Sequence, residues 1–345
     1  QSSPLERRFL ARNQAKHLTA DGMGMCPRPG WLPTTGPGNL NVTPERWGMQ
    51  LRQWAALITS CCLTEQWGHL EESTDGKEAG SVNLYQLCDH FVKPWTQGTG
   101  NSIALLMNSS SPLKADVMIS HAWGESILET LMAVLGKASV MGITLDTVVW
   151  FCTFAQYQCG GMDGDPGPTV EQQLAMEPFK RVIESKPPFG MLVVHTSTAE
   201  LYGRLWCVYE VDEAREADVR AYSAYSMGAL KQLQDMIAAG NDLEAALKVD
   251  TWQATCWSQT DADMIRKAVL ARGGFQQLDQ KILDFRLASV SVFRAMFDKF
   301  VEWADSGDQE RGIFEGLTKV VDQAGVFVGL HCLAPYVKET HDPEL

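Results

Sequence analysis

Nothing in the chain is long and apolar enough to cross a bilayer. The longest hydrophobic stretches, Met191–Val194 and Val326–Leu330, fall far short of the roughly 20 residues a membrane helix needs. Basic residues are also scarce: 29 Lys and Arg stand against 42 Asp and Glu, giving a net charge of −13 and a pI near 5.0. No Lys/Arg cluster interrupts this acidity, so general electrostatic binding to nucleic acid or anionic lipid is excluded. No Cys-x-x-Cys pair occurs among the nine cysteines (26, 61, 62, 88, 152, 159, 207, 256 and 332). Their number is odd and most lie in apolar segments, the pattern of reduced, buried thiols in a cytoplasmic protein rather than of a disulfide framework or zinc site. The Asn41 and Asn108 sequons are therefore expected to be unused. The seven histidines (17, 69, 90, 121, 195, 331 and 341) form no ligand-spaced pair, and no metal is expected. Arg7, Arg8 and Arg12 are not followed by an apolar segment, so no secretory signal is expected either. Internal repeats and low-complexity tracts are also lacking.

What is present is an ordinary globular balance, 45% hydrophobic and 21% charged over 345 residues, enough for one large or two ordinary domains. Residues 1–43 are rich in Gly, Pro, Asn and Thr and predict an extended arm. From Thr43-Pro44-Glu45 a helix start is signalled, with Trp47, Leu51, Trp54, Ala55, Ile58 and Cys62 recurring at helical spacing. Asn83–Trp95 and Ser102–Met107 predict further helices, making 44–112 a helical region. Strand–helix alternation then begins. Asp116–Ser120, Thr147–Phe151, Met191–His195, Val219–Ala224 and a short segment near Ala246–Asp250 read as strands. Helices are expected between them, from Ile127, from Thr169 to about Ser185, from about Ala199 to Arg215, and around Met227–Ala239. This spacing predicts a doubly wound, mostly parallel five-stranded α/β sheet over 113–288. Thr260–Asp263 is expected to cap the following helix and Gly273-Gly274 to end it. Amphipathic helices are expected at Leu278–Trp303 and about Gly312–Pro335, and 289–345 forms a C-terminal helical extension.

In open α/β sheets ligands collect beyond the carboxyl ends of the strands. The predicted strands deliver Ser120-His121-Ala122-Trp123-Gly124-Glu125, Phe154-Ala155-Gln156-Tyr157-Gln158, His195-Thr196-Ser197 and Tyr222 to Ser226 to that edge. Such a rim holds a nucleotide by stacking and neutral hydrogen bonds, or else only satisfies its own loops. The third helix carries the sharpest signal. At about 100° per residue, Leu201, Leu205 and Val208 share the sheet-facing side, while Gly203, Trp206, Cys207 and Glu210 fall together on the other. Glu210 thus closes a notch with an aromatic wall. The plainer reading makes it one solvated acid among Asp212, Glu213, Glu216 and Asp218.

The strand Asp116-Val117-Met118-Ile119-Ser120 and the box Arg204-Leu205-Trp206-Cys207-Val208-Tyr209-Glu210 together resemble a TIR domain, whose first strand reads D-V-F-(I/V)-S and whose third helix carries (S/R)-x-W-C-x-x-E. With Ser120–Glu125, Val82-Asn83-Leu84-Tyr85 and Phe91-Val92-Lys93-Pro94-Trp95-Thr96, the closer resemblance is to a divergent TIR-like group of algal and protist proteins. Val149-Trp150-Phe151-Cys152 and Gln156 are similar to the W-I-D and C-I-N-Q elements of fungal HET domains, which are TIR relatives. The likeness spans about residues 82–285. It implies a flavodoxin-like fold and, by the match of the box, Glu210 as the catalytic carboxylate of NAD+ cleavage. Trp206 or Trp123 would stack on nicotinamide or adenine. Gln156 and Ser197 would donate hydrogen bonds, and Ser120 and His121 would line the cleft. NAD+ is then a substrate rather than a resident cofactor. Where TIR domains carry R-D after the second strand, Thr153-Phe154-Ala155-Gln156 stands here, and His121-Ala122-Trp123 replaces a tyrosine-containing turn.

Two functions remain open. One is a TIR-like NAD+ nucleosidase using Glu210. The other is a non-catalytic signalling or scaffold module acting by self-association and protein contacts, since the fold alone does not settle activity. A third chemistry, a Cys–His nucleophile drawn from Cys152 or Cys159 with His121 or His195, requires thiol and imidazole in contact.

Overall fold

A computed structural model describes residues 26–73, 81–158 and 165–305, with side chains described as far as Val290. The chain is α/β, built on a five-stranded mixed sheet of order β1-β3-β2-β4-β5. The strands are β1 (Met49–Gln50), β2 (Val117–Ser120), β3 (Val148–Phe151), β4 (Met191–His195) and β5 (Ala221–Tyr225). Strands β2, β3, β4 and β5 run parallel, and β1 lies antiparallel against β3.

The helices, in chain order, are α1 (Leu51–Cys62), α2 (Glu65–Glu72), α3 (Leu84–Leu87), α4 (Lys93–Thr96), α5 (Ile103–Met107), α6 (Ile127–Met141), α7 (Cys152–Ala155), α8 (Val170–Leu174) and α9 (Pro178–Glu184). They continue with α10 (Leu205–Glu216), α11 (Met227–Ala238), α12 (Leu243–Leu247), α13 (Gln259–Ala271) and α14 (Phe275–Asp305). None of the described helices is long and apolar enough to cross a membrane.

The central strands are buried on both sides, as their unbroken apolar runs require. Successive residues point to opposite faces. Val117, Ile119, Val149, Phe151, Leu192 and Val194 therefore join one core with Trp54, Phe91, Trp95 and α6. Met118, Trp150, Met191 and Val193 join the other with Trp47, Phe179, Leu205, Val208, Ile265 and Ile282. The register Met118↔Trp150 and Met118↔Met191 aligns the carboxyl ends of β2, β3 and β4 in one row. Gly190 opens β4 with φ 68°, and a Cβ there would run into the Arg220 backbone, so the β4–β5 approach requires glycine.

The region expected to be purely helical, 44–112, contributes to the sheet. Pro44–Arg46 is a 3-10 turn, Met49–Gln50 pairs with Val148 and Val149, and the helix starts only at Leu51. A Cβ at Gly48 would strike Val148 and the Leu113 carbonyl; glycine lets the chain dive against β3 there. Helices α1 to α5 then pack into the same core as β2 and β3. Trp54 sits 4.6 Å from the Phe151 ring and 6.2 Å from Phe154.

The described part of the Gly/Pro-rich arm, from residue 26, is fastened rather than loose. Asn39 is fully buried, donates to the Ala155 carbonyl at 2.9 Å, and accepts from the Ser102 amide at 2.7 Å.

Three further expectations need correction. The predicted strand at Ala246–Asp250 is not one: Asp242 accepts from the Glu244 and Ala245 amides and starts α12 instead, with Leu247 packed beside Leu283 and Val290. The predicted Thr169–Ser185 helix is two, α8 and α9, because Pro178 restarts the helix behind Glu177 in the left-handed region. Ser258, not Thr260, caps α13. The expected Gly312–Pro335 helix and Cys159 and Cys332 lie outside the described residues.

Candidate functional site

The carboxyl ends of β2 and β3 meet the start of α10 at a cluster of buried polar side chains. Helix α10 is placed by its entry: Arg204 is extended, bridges in parallel to Thr255, and Leu205 N–H donates to the Thr255 carbonyl at 2.9 Å. From there Cys207 and Glu210 reach the tip of β2. The Cys207 thiol donates to the His121 carbonyl at 3.2 Å. Glu210 is 5% exposed and Ser120 has no exposed surface, which overturns the solvated reading of Glu210. Burial pushes the Glu210 carboxyl up to about 7, while the Ser120 hydroxyl and the Arg204 charge pull it partly back. Ser120 Oγ, Glu210 Oε2 and Arg204 Nη1 are buried without a hydrogen bond of good geometry, although the Ser120 hydroxyl lies close enough to favour the Glu210 carboxylate. Native interiors rarely leave such atoms unpaired, and three in one cluster mark a place for a polar ligand or water.

Arg204 organises the cluster. Its guanidinium lies 5.8 Å from the Trp123 ring centroid, and Trp123 in turn packs on Tyr85 at 5.4 Å. Glu125, fully buried, accepts from the Ala122 amide at 3.0 Å and from the Thr130 hydroxyl at 3.1 Å. Desolvation nonetheless lifts its carboxyl to about 8. Two carboxyls raised by burial thus feel the charge of one arginine, which pulls each of them partly back down.

His121 stacks on Phe151 at 3.9 Å with rings 9° apart. Its Nδ1 lies 3.4 Å from the Ile119 carbonyl, and its Nε2 lies 3.5 Å from Cys152 Sγ and 3.4 Å from Thr153 Oγ1. The thiol–imidazole contact needed for a Cys–His nucleophile is therefore present. Its electrostatics oppose that use. Burial holds His121 down to about 3 and, with Glu210 nearby, pushes Cys152 up to about 12, so both stay neutral and the thiolate is scarce.

Of the residues read from the sequence, Ser120, His121, Trp123 and Glu210 come together around Arg204. Trp206 is not among them: its ring packs on Phe179 at 4.7 Å and on Tyr209 at 5.7 Å. Gln156 is half-buried and closes α7, its amide donating to the Cys152 carbonyl. Ser197 is committed elsewhere, donating through its amide and hydroxyl to Glu129 at 2.8 and 2.5 Å.

Arg204 and Glu125 lie in the same two sequence segments as Glu210 and Ser120, and the resemblance gives neither a role. A cation directly ahead of the W-C-x-x-E helix was the available signal for Arg204. Among the described residues no group of three His, Cys, Asp or Glu could hold a metal ion. No protein-family model matches this chain, and neither a curated protein nor a solved structure matches it.

Proposed function

We propose that the chain is a TIR-like signalling protein whose Glu210 site cleaves the bond between nicotinamide and ribose in NAD+. The observation that carries this reading is a buried carboxyl, with one oxygen unpaired, set beside Ser120 and Arg204 at the carboxyl edge of parallel strands. Loss of nicotinamide passes through an oxocarbenium-like state. Ionised Glu210 would stabilise that positive charge and accept hydrogen bonds from the ribose hydroxyls. With its carboxyl near 7, a large share is ionised at neutral pH, and burial strengthens its field. Trp123, braced by Tyr85, offers the stacking surface that Trp206 does not. Water then adds to the ribose carbon, giving ADP-ribose, nicotinamide and a proton. The seven cysteines among the described residues are all free, which suits a reducing, cytosolic setting.

One observation favours the second reading, a non-catalytic module working through self-association and protein contacts: Ser120 has no exposed surface and Glu210 only 5%, so a substrate reaches them only if the groups packed over them move. Incubating the purified chain with NAD+ and following nicotinamide separates the two. Release that disappears in Glu210→Ala supports cleavage at this site. The absence of release at high protein concentration supports the scaffold, and release that survives Glu210→Ala rejects the site.

A further inference from the structure

A second set of buried polar atoms without partners lies at the tip of β4. His195 ends that strand, and Tyr202 sits in the 3-10 turn Leu201–Gly203 just before Arg204; both are more than nine-tenths buried. Neither His195 Nε2 nor the Tyr202 hydroxyl has a hydrogen-bond partner. Their ring centroids are 6.0 Å apart, and Tyr225 from β5 stacks on His195 at 4.7 Å. Arg286, brought in by α14, lies 5.4 Å from the Tyr202 ring centroid with its side chain only 12% exposed. Its charge acts on all three rings. The carboxylate that meets it, Glu200, is 3.4 Å away and exposed to solvent, the kind of rim pair that contributes little.

All three groups can donate: arginine only donates, the tyrosine hydroxyl donates as well as accepts, and His195 Nε2 donates in the tautomer that carries its proton there. A half-buried cation and two buried groups able to donate, neither of which has a partner, are complementary to an oxyanion, which would take charge-assisted hydrogen bonds from the arginine. Tyr225 and Glu200 close the sides, and Cys207 is the other titratable group that acts on Tyr202.

We propose that Arg286, Tyr202 and His195 form a binding site for a phosphoryl oxyanion, with Glu200 as the displaceable counter-ion at its rim. This site is separate from the Glu210 cluster, and its existence does not depend on NAD+ cleavage.

The test is titration of inorganic phosphate into the full chain, read by calorimetry and by thermal melting. Saturable binding at one site with a raised melting temperature is expected. Arg286→Gln should weaken binding at least about tenfold, and Tyr202→Phe, which removes only the hydroxyl, several-fold. Glu200→Gln, an exposed and structurally mild change, should tighten binding because it removes the competing carboxylate. That readout survives even if the Arg286 variant fails to fold. Repeating the titration with NAD+ present identifies the source of the oxyanion: competition assigns it to a phosphate of the dinucleotide, and no competition to a free phosphate ligand. The proposal is overturned if phosphate does not saturate, if its affinity is the same in Tyr202→Phe and Arg286→Gln, or if Glu200→Gln leaves it unchanged.

Discussion

Two glutamates at the same edge of the sheet have opposite surroundings. Glu129, in the first turn of α6, accepts from the Ser197 amide, the Ser197 hydroxyl and the Ser226 hydroxyl at 2.8, 2.5 and 2.6 Å. Ser226 also caps α11, so one carboxylate ties α6, the loop after β4 and the start of α11 together. Glu210 is more deeply buried and has one oxygen without a hydrogen bond of good geometry. A carboxylate surrounded by donors holds the fold, whereas one kept dry and short of donors costs stability. The difference lies in what surrounds each side chain, since both follow a helix start by only a few residues.

The largest contrast is in turnover. Glu210→Gln should lower nicotinamide release by roughly a thousandfold, in the range expected for losing a carboxylate that acts on the transition state. Glu129→Gln should leave turnover per folded molecule within a few-fold. Equal losses in the two variants would erase the distinction.

Acid–base linkage gives the next contrast. A folded-state carboxyl raised from 4.5 to about 7 binds a proton that the unfolded chain releases, so its stabilising share is complete below about pH 4.5 and is lost as pH rises through 7. The loss is on the order of 3 kcal/mol. Glu125, lifted to about 8, extends the window upward. Urea unfolding between pH 5 and 8 should therefore show the parent declining more than Glu210→Gln; parallel curves would mean that Glu210 is ordinarily hydrated.

Third, Glu129→Ala should destabilise the chain by about 2 kcal/mol, because it leaves two hydroxyls and an amide without their acceptor. Chemical denaturation measures this directly, and a neutral result would make the three-way tie ornamental. The smallest effect concerns the thiol beside His121. With Cys152 held neutral near 12, Cys152→Ala should change nicotinamide release by less than about twofold. A collapse of activity in that variant would move the chemistry from Glu210 to the thiol–imidazole pair.

Much of the sheet was readable in the sequence because β2, β3 and β4 are continuous apolar runs buried on both faces, and such runs announce themselves without long-range information. Strand β1 was hidden, since two residues inside an apparently helical apolar pattern give no period of their own. The segment at Ala246–Asp250 misled because its strand-like apolar content is outweighed by the Asp242 cap. In the box from Arg204 to Glu210, the acid comes beside Ser120 while Trp206 packs on Phe179. Residues four apart on a helix share a side only approximately, and Phe179 draws Trp206 away. The Ser197–Glu129 tie joins positions 68 residues apart, and no local pattern encodes it.

The brevity of β1 has an outcome for assembly. At two residues, running against its neighbour, it closes the β3 flank of the sheet with almost no free ladder for another chain to extend. Copies of this protein that polymerise would find no template for strand addition on that border, and would have to meet through helices or along the opposite, β5 margin.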